Sequence, residues 1–162
     1  SDGNSYVDAA VDAADVVMKF QQAEDLMAKG RRNSDPKSMD AAMKLRPSDW
    51  TYELSRSNLA LQLGDMNDYF GYWNQVQVHS VGVGWKRVER QQYSELLAVH
   101  KRLDTGPGSV SGYASYKQCR ALYDALAVTS GNLAAEELFS DGTSTEAKSW
   151  RQREADCDLL PH

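Results

Sequence analysis

Residues 49–76 read DWTYELSRSNLALQLGDMNDYFGYWNQV, and they decide the fold. Apolar or aromatic side chains stand at Tyr52, Leu59, Leu63, Met66, Phe70 and Trp73, and from Leu59 onward the steps are four, three, four, three. That spacing puts them on one stripe of an α-helix, with Asp49 placed to cap its first turn. The pattern predicts one long helix from Asp49 to Val76 lying in a bundle. Trp50, Tyr52, Leu59, Leu63 and Phe70 are its expected structural residues. The weak point is Gly64-Asp65, where a glycine inside a helix costs about 1 kcal/mol relative to alanine. A helix that continues through this dipeptide makes a bundle, and a chain that turns there makes a repeat of short hairpins.

Upstream, a first helix is expected from Tyr6 to Lys29, with Val7, Val11, Ala14, Val17 or Met18, and Met27 toward the core. Gly30 is free to close it in a left-handed cap. Asp8, Asp12 and Asp15 near its start suit the helix dipole as a solvated acidic face. Asp35-Pro36 reads as an N-cap followed by proline at the first helical position, so Pro36 to Leu45 makes a short connector helix that Pro47 stops.

Downstream, Ser80-Val81-Gly82-Val83-Gly84 is a turn, since it lacks the lysine and hydroxyl residue of a phosphate-binding loop. A helix from Trp85 to Leu103 turns Val88, Leu96, Val99 and Leu103 inward and leaves Arg87, Glu89, Arg90, Glu95 and Lys101 in water. Thr105 to Ser109 breaks it. Tyr113 to Val128 repeats the pattern and Ser130-Gly131 closes it. A short segment from Leu133 to Phe139 leads to Ser140-Asp141-Gly142. Thr143 with Glu146 has capping-box spacing for a last helix from Thr145 to Cys157.

These elements predict an all-α, up-down-up-down four-helix bundle with a short connector helix and a C-terminal helical extension. The 162 residues fit one domain, with a core bundle over about residues 5–130 and the extension over about 131–162. With 41% hydrophobic and 25% charged residues the chain is too apolar for a disordered tail. It has no apolar run of bilayer length and no apolar leader, so a mature form that does not span a membrane is expected.

Eighteen basic and 23 acidic residues give a net charge of -5, without the basic face that nucleic acid requires. The basic pairs Arg31-Arg32 and Lys86-Arg87 are the candidate docking residues, because exposed positive clusters steer a chain onto an acidic partner.

Reaction chemistry has little to work with. The histidines are His79, His100 and His162, and no serine or cysteine motif falls into register with them. His100 reads as a satisfied core or boundary residue, and His79 as a helix-end residue that suits the dipole. The acidic pairs Glu136-Glu137 and Asp156 with Asp158 lie in or beside short elements with no announced cleft. There is no Glu-x-x-His for a paired-metal site and no CxxC for zinc. No catalytic, cofactor-binding or metal-binding residue is therefore assigned, and a non-enzymatic role is expected.

Cys119 and Cys157 are the two cysteines. Each sits on the apolar stripe of its own predicted helix, which favours a disulfide over two unrelated buried thiols in an oxidising compartment.

Trp50-x-Tyr52, followed by the leucine-rich helix with Leu63-Gly64-Asp65-Met66, resembles the PsbQ-like extrinsic proteins of photosystem II. The resemblance continues through Leu96-Leu97, Leu103-Asp104, a Gly/Ser-rich turn, then Tyr116, Tyr123 and Leu126, and covers roughly residues 5–130. It implies a four-helix bundle of the thylakoid lumen. The implied role is that of an extrinsic subunit docked on the photosystem II core beside other extrinsic subunits, shielding the manganese-calcium cluster and helping to retain calcium and chloride without ligating manganese. The chain departs from that pattern in lacking a proline-rich N-terminal arm, in the connector at Pro36 to Leu45, and in the extension from Leu133 to His162.

Two other readings compete. Gly30 and Gly64 stand 34 residues apart, with Ala23, Leu26, Ala42 and Pro47 near tetratricopeptide-repeat positions, which describes a short module binding a peptide or helix in a groove. Small size, acidity and a cysteine pair also fit a periplasmic or secreted helical binding or immunity protein.

Overall fold

The computed structural model of the chain describes residues 2–135 and 144–162. Among them are seven α-helices and one 3-10 turn, with no strand. The helices are α1 (Asp2–Asn33), α2 (Pro36–Leu45), α3 (Trp50–Leu63), α4 (Met66–His79), α5 (Trp85–Leu103), α6 (Tyr116–Ala135) and α7 (Thr145–Ala155), and the 3-10 turn spans Asp156–Leu159.

The predicted Asp49-to-Val76 helix is two helices, and the cause is local. Gly64 sits at φ +82, its N–H bonds Leu61 O at 3.2 Å, and Asp65 N bonds Ala60 O at 2.9 Å. This is a Schellman stop, in which a left-handed glycine lets two orphan carbonyls be satisfied. Asp65 then accepts from Asp68 N at 3.1 Å and caps α4. A stop and a start on adjacent residues outweigh helical continuity. The four-helix bundle drawn from the sequence needed one helix here, and the chain reverses instead.

Partner numbering shows how the helices run. Across α3 and α4, Ser57 Oγ donates to Tyr69 O, Arg56 pairs with Asp68, and Glu53 meets His79, so partners diverge from the turn as in an antiparallel hairpin. α5 and α6 are antiparallel too, with His100 against Tyr123 and Glu89 near Asn132. So are α6 and α7, where Asp124 meets Arg151 and Arg120 meets Glu154. Between α3 and α5 the partners rise together: Ser55 bonds Glu95 and Gln62 bonds Arg102, both 40 residues apart. From α1 to α3 they rise together too, Glu24 with Tyr52, Arg31 with Ser55 and, just past α1, Ser34 with Gln62. α1, α3 and α5 therefore point the same way, each followed by an antiparallel partner.

α3 lies at the centre, with every residue from Tyr52 to Leu61 buried. A helix enclosed on all sides has no polar face to spare, so its polar residues are paired inside. Arg56 holds Asp40 at 2.8 Å and Asp68 at 3.3 Å, and Glu53 holds His79 Nδ1 at 2.7 Å. The sequence stripe misplaces residues because it runs across the break at Gly64, so the positions it aligns share no face: Leu63 and Phe70 are half exposed, whereas Tyr52 and Leu59 are buried.

One core joins α1, α2 and α3 through Ala23, Met27, Met39, Ala42, Tyr52 and Leu59. A second gathers Leu61, Tyr69, Leu96, Leu122, Tyr123 and Leu126. Each fully buried leucine contributes about 2 kcal/mol.

Other expectations are corrected. α2 is a core element, since it buries Met39 and Ala42. α1 runs past Gly30 to Asn33, and Gly30 is a packing glycine whose missing Cβ leaves room for Met39. Val7, Val11, Val17 and Met18, expected in the core, are exposed because α2 reaches only the last turns of α1. α6 continues through Ser130-Gly131 to Ala135, and Ser144, not Thr143, caps α7 by accepting from Ala147 N. Thr143, the acid pair Glu136-Glu137, Ser140-Asp141-Gly142 and the end of the Leu133-to-Phe139 segment lie outside the described residues.

Cys119 and Cys157 form a disulfide that ties α6 to the 3-10 turn. No helix among the described residues is long and apolar enough to cross a membrane.

Candidate functional site

Where α1, α3 and α5 lie side by side, their polar residues build a ladder. Arg31 Nη2 on α1 donates to Ser55 Oγ on α3 at 2.8 Å, and Ser55 Oγ donates to Glu95 Oε1 on α5 at 2.9 Å. One turn further along α3, Asn58 Nδ2 faces Glu95 Oε2 at 2.9 Å and Gln92 Oε1 at 3.0 Å. The next turn brings Gln62, which donates to Ser34 Oγ at 3.1 Å and accepts from Arg102 Nη1 at 2.9 Å.

Into this ladder opens a cavity of about 180 Å³, lined by Arg31, Ser34, Asn58, Gln62, Glu95 and Arg102 together with Met39, Leu59 and Val99. Sites for drug-sized ligands run from about 300 Å³ upward. The volume here is that of one amino-acid side chain. Asn58 is 4% exposed, and its Oδ1 is buried without a hydrogen-bond partner. A buried acceptor left unmade costs about 1–3 kcal/mol.

Burial pushes the Glu95 carboxyl above the ordinary carboxylate range, while the Ser55 bond, the Arg31 charge and the Asn58 amide pull it down. The ladder thus combines two cations, one carboxylate and an unmet carbonyl oxygen in a half-enclosed space. It offers recognition of a chain carrying both donors and acceptors.

A second cluster surrounds His100. Its ring packs edge-on to Trp150 at 4.9 Å and to Tyr123 at 5.5 Å. Nε2 is buried without a hydrogen-bond partner, 3.9 Å from Asp104 Oδ2, and burial lowers the pKa of the ring. Arg153 Nη2 bonds Asp104 at 2.8 Å and Tyr123 Oη at 3.0 Å, holding the Asp104 carboxyl below its usual range. The histidine expected to be satisfied is therefore packed between aromatic rings with an unmet nitrogen. His79 does end its helix, and it is bonded to Glu53.

The basic pairs chosen from the sequence do not meet. Arg31 belongs to the ladder, and Arg32 is exposed at the end of α1. Lys86 and Arg87 begin α5, with the Arg87 guanidinium 5.8 Å from the Trp50 ring. Since Arg31 stands level with Glu95, Arg87 lies two helical turns away, on the order of 12 Å along the axis. Glu95, expected in water, is half-buried, and sequence reasoning did not select Asn58, Gln62 or Arg102. For Asn58 and Gln62 the one signal was their polar character within the apolar α3 segment, and Arg102 on α5 had none.

Among the described residues no three His, Cys, Asp or Glu side chains gather as a metal site. No family model, no curated protein and no solved structure matches the chain.

Proposed function

We propose that the chain is a non-enzymatic recognition module that binds an extended segment of a partner protein along α1, α3 and α5. The observation that carries this is a side-chain-sized cavity flanked by Arg31 and Arg102 and lined by Asn58, Gln62 and Glu95. An extended backbone alternates N–H and C=O groups, which suit the Glu95 carboxylate and the arginines in turn, while the cavity takes one anchoring side chain. This is the interaction reading in which the chain turns at Gly64.

The test is selection from a displayed library of random peptides, with affinity of the selected sequences measured by fluorescence anisotropy. Arg102 is exposed, so Arg102→Glu keeps the fold and is expected to weaken binding at least tenfold. Peptides that bind equally well to this variant and to Asn58→Ala sink the proposal.

A second reading keeps the docking role but assigns it to an extrinsic subunit on the lumenal side of photosystem II, as in the PsbQ-like proteins. The Cys119–Cys157 bond supports an oxidising compartment, whether thylakoid lumen, periplasm or secreted space. Its residue basis is narrower than the sequence implied, because Leu63-Gly64-Asp65-Met66 forms a turn. Co-release with photosystem core subunits on salt washing of thylakoid membranes favours this reading, and a chain absent from those membranes removes it.

A further inference from the structure

α1 has 32 residues, of which only the last turns touch the body. Every residue from Ser5 to Gln22 is exposed, a projecting helix roughly 27 Å long. Most helical stability in water comes from packing an apolar face, and this segment has a large exposed one, met only at its end, where the Arg46 guanidinium lies 3.9 Å over the Phe20 ring. Asp8, Asp12, Asp15 and Lys19 fall within a strip of roughly 60° when successive residues are turned by about 100°. The opposite side carries the seam Tyr6, Ala10, Ala13, Val17 and Phe20, in steps of four, three, four, three. Those are coiled-coil steps.

We infer that this bare face is where a second copy of the chain docks, its α1 lying antiparallel across the first. Two observations select that occupant and a third sets the strength of the contact. The seam is self-complementary: a two-fold axis between Ala10 and Ala13 sets these alanines against each other and Tyr6 against Val17 of the other copy. Small residues meet at the centre, where the backbones approach most closely, and large ones fill the space outside.

Area sets the strength. Of the seven large apolar side chains between Tyr6 and Phe20 that are 47 to 79% exposed, Tyr6, Val17 and Phe20 lie on the seam. At roughly 100 Å² each they offer on the order of 300 Å² per copy, the scale of a weak, reversible pair against about 800 Å² per partner in a stable one.

Charge excludes the competing lipid surface. The polar strip carries three aspartates and one lysine, Lys19 is bridged to Asp15 at 3.2 Å, and amphipathic helices that lie on anionic membranes present basic residues instead. In the pair, both acidic strips face away from the shared seam.

The experiment is sedimentation velocity of the disulfide-intact chain over a wide concentration range. Wild type is expected to be a reversible dimer, and Ala10→Glu/Val17→Glu a monomer, with dissociation raised at least tenfold. Both positions are exposed and remote from either core, so the variant keeps the thermal melt of the body. Register is read by mixing Ala10→Cys chains with Ala13→Cys chains, where the cross-linked mixed dimer exceeds either homodimer. A wild type that is monomeric at every concentration overturns the inference in favour of another protein, as does binding of the monomer to anionic vesicles in favour of lipid. A dimer that survives the double glutamate variant overturns it as well.

Discussion

Ser55 and Glu95, 40 residues apart in the chain, meet through a 2.9 Å hydrogen bond that crosses from α3 to α5. Ser55 is at the same time the acceptor for Arg31, so one hydroxyl fixes the register of three helices. Its two roles use the single proton of the group and one of its two acceptor lone pairs.

Ser55→Ala should therefore cost more than an average hydrogen bond. It leaves a half-buried carboxylate short of a donor and an arginine short of an acceptor, for a loss of about 1–3 kcal/mol. Urea denaturation measures this, and Ser55→Thr, which retains the hydroxyl, should recover part of it. An alanine variant as stable as wild type would mean the ladder contributes nothing to the fold.

Two glycine-to-alanine changes should both destabilise, for different reasons. Gly64 has φ +82 and open surroundings, its closest neighbour for a new Cβ being Ala114 at 3.4 Å, so the penalty is left-handed strain of about 1–2 kcal/mol. Gly30 is helical, where alanine is favoured by about 1 kcal/mol. There a Cβ would stand 2.5 Å from Met39 Cγ and 3.1 Å from Asp35 O, and overpacking of about 1–3 kcal/mol reverses the gain. Thermal melts compare the two, and Met39→Ala should relieve only the Gly30 variant.

Reduction of Cys119–Cys157 should lower stability by about 4 kcal/mol on the chain-entropy account for a closure of this size. α7 packs on α6 and the bond anchors its far end, so hydrogen exchange in α7 should accelerate before exchange in α3. Equal acceleration in both helices would show that the two unfold together.

His100 makes stability depend on pH. Burial holds its pKa below the ordinary value near 6.5. The unfolded chain then binds the proton first, and stability falls as pH drops below about 6.5. Asp104, depressed by Arg153, acts in the same direction at lower pH, below its ordinary 3.8. Glu95, raised by burial, acts oppositely, losing stability as pH rises past about 4.5. Comparison with His100→Phe isolates the histidine: between pH 7 and 5 the variant should lose less stability than wild type. Identical slopes would exclude His100 as the source.

Helices and their starts were legible because they are encoded locally. Asp35 and Asp49 cap α2 and α3 as their spacing implied, and Cys119 is bonded to Cys157, although Cys157 lies in the 3-10 turn just past α7 rather than on a helix. The turn at Gly64-Asp65 was visible as a weak point, but a propensity of about 1 kcal/mol does not reveal that the next residue is itself a cap. The stripe through Phe70 misled because it was counted across Gly64, and the reversal there puts Phe70 on α4 with a register of its own. The ladder was illegible for a simpler reason. Asn58, Glu95 and Arg102 come from separate helices, and the 40-residue offset that joins α3 to α5 is set by packing rather than by any local pattern.

The bond between Cys119 and Cys157 also governs what a protease can release. A single backbone cut anywhere between these positions liberates no fragment, since both halves stay covalently joined. Such a nicked chain migrates at full mass until a reductant is added, whereas one cut ahead of Cys119 sheds everything upstream at once.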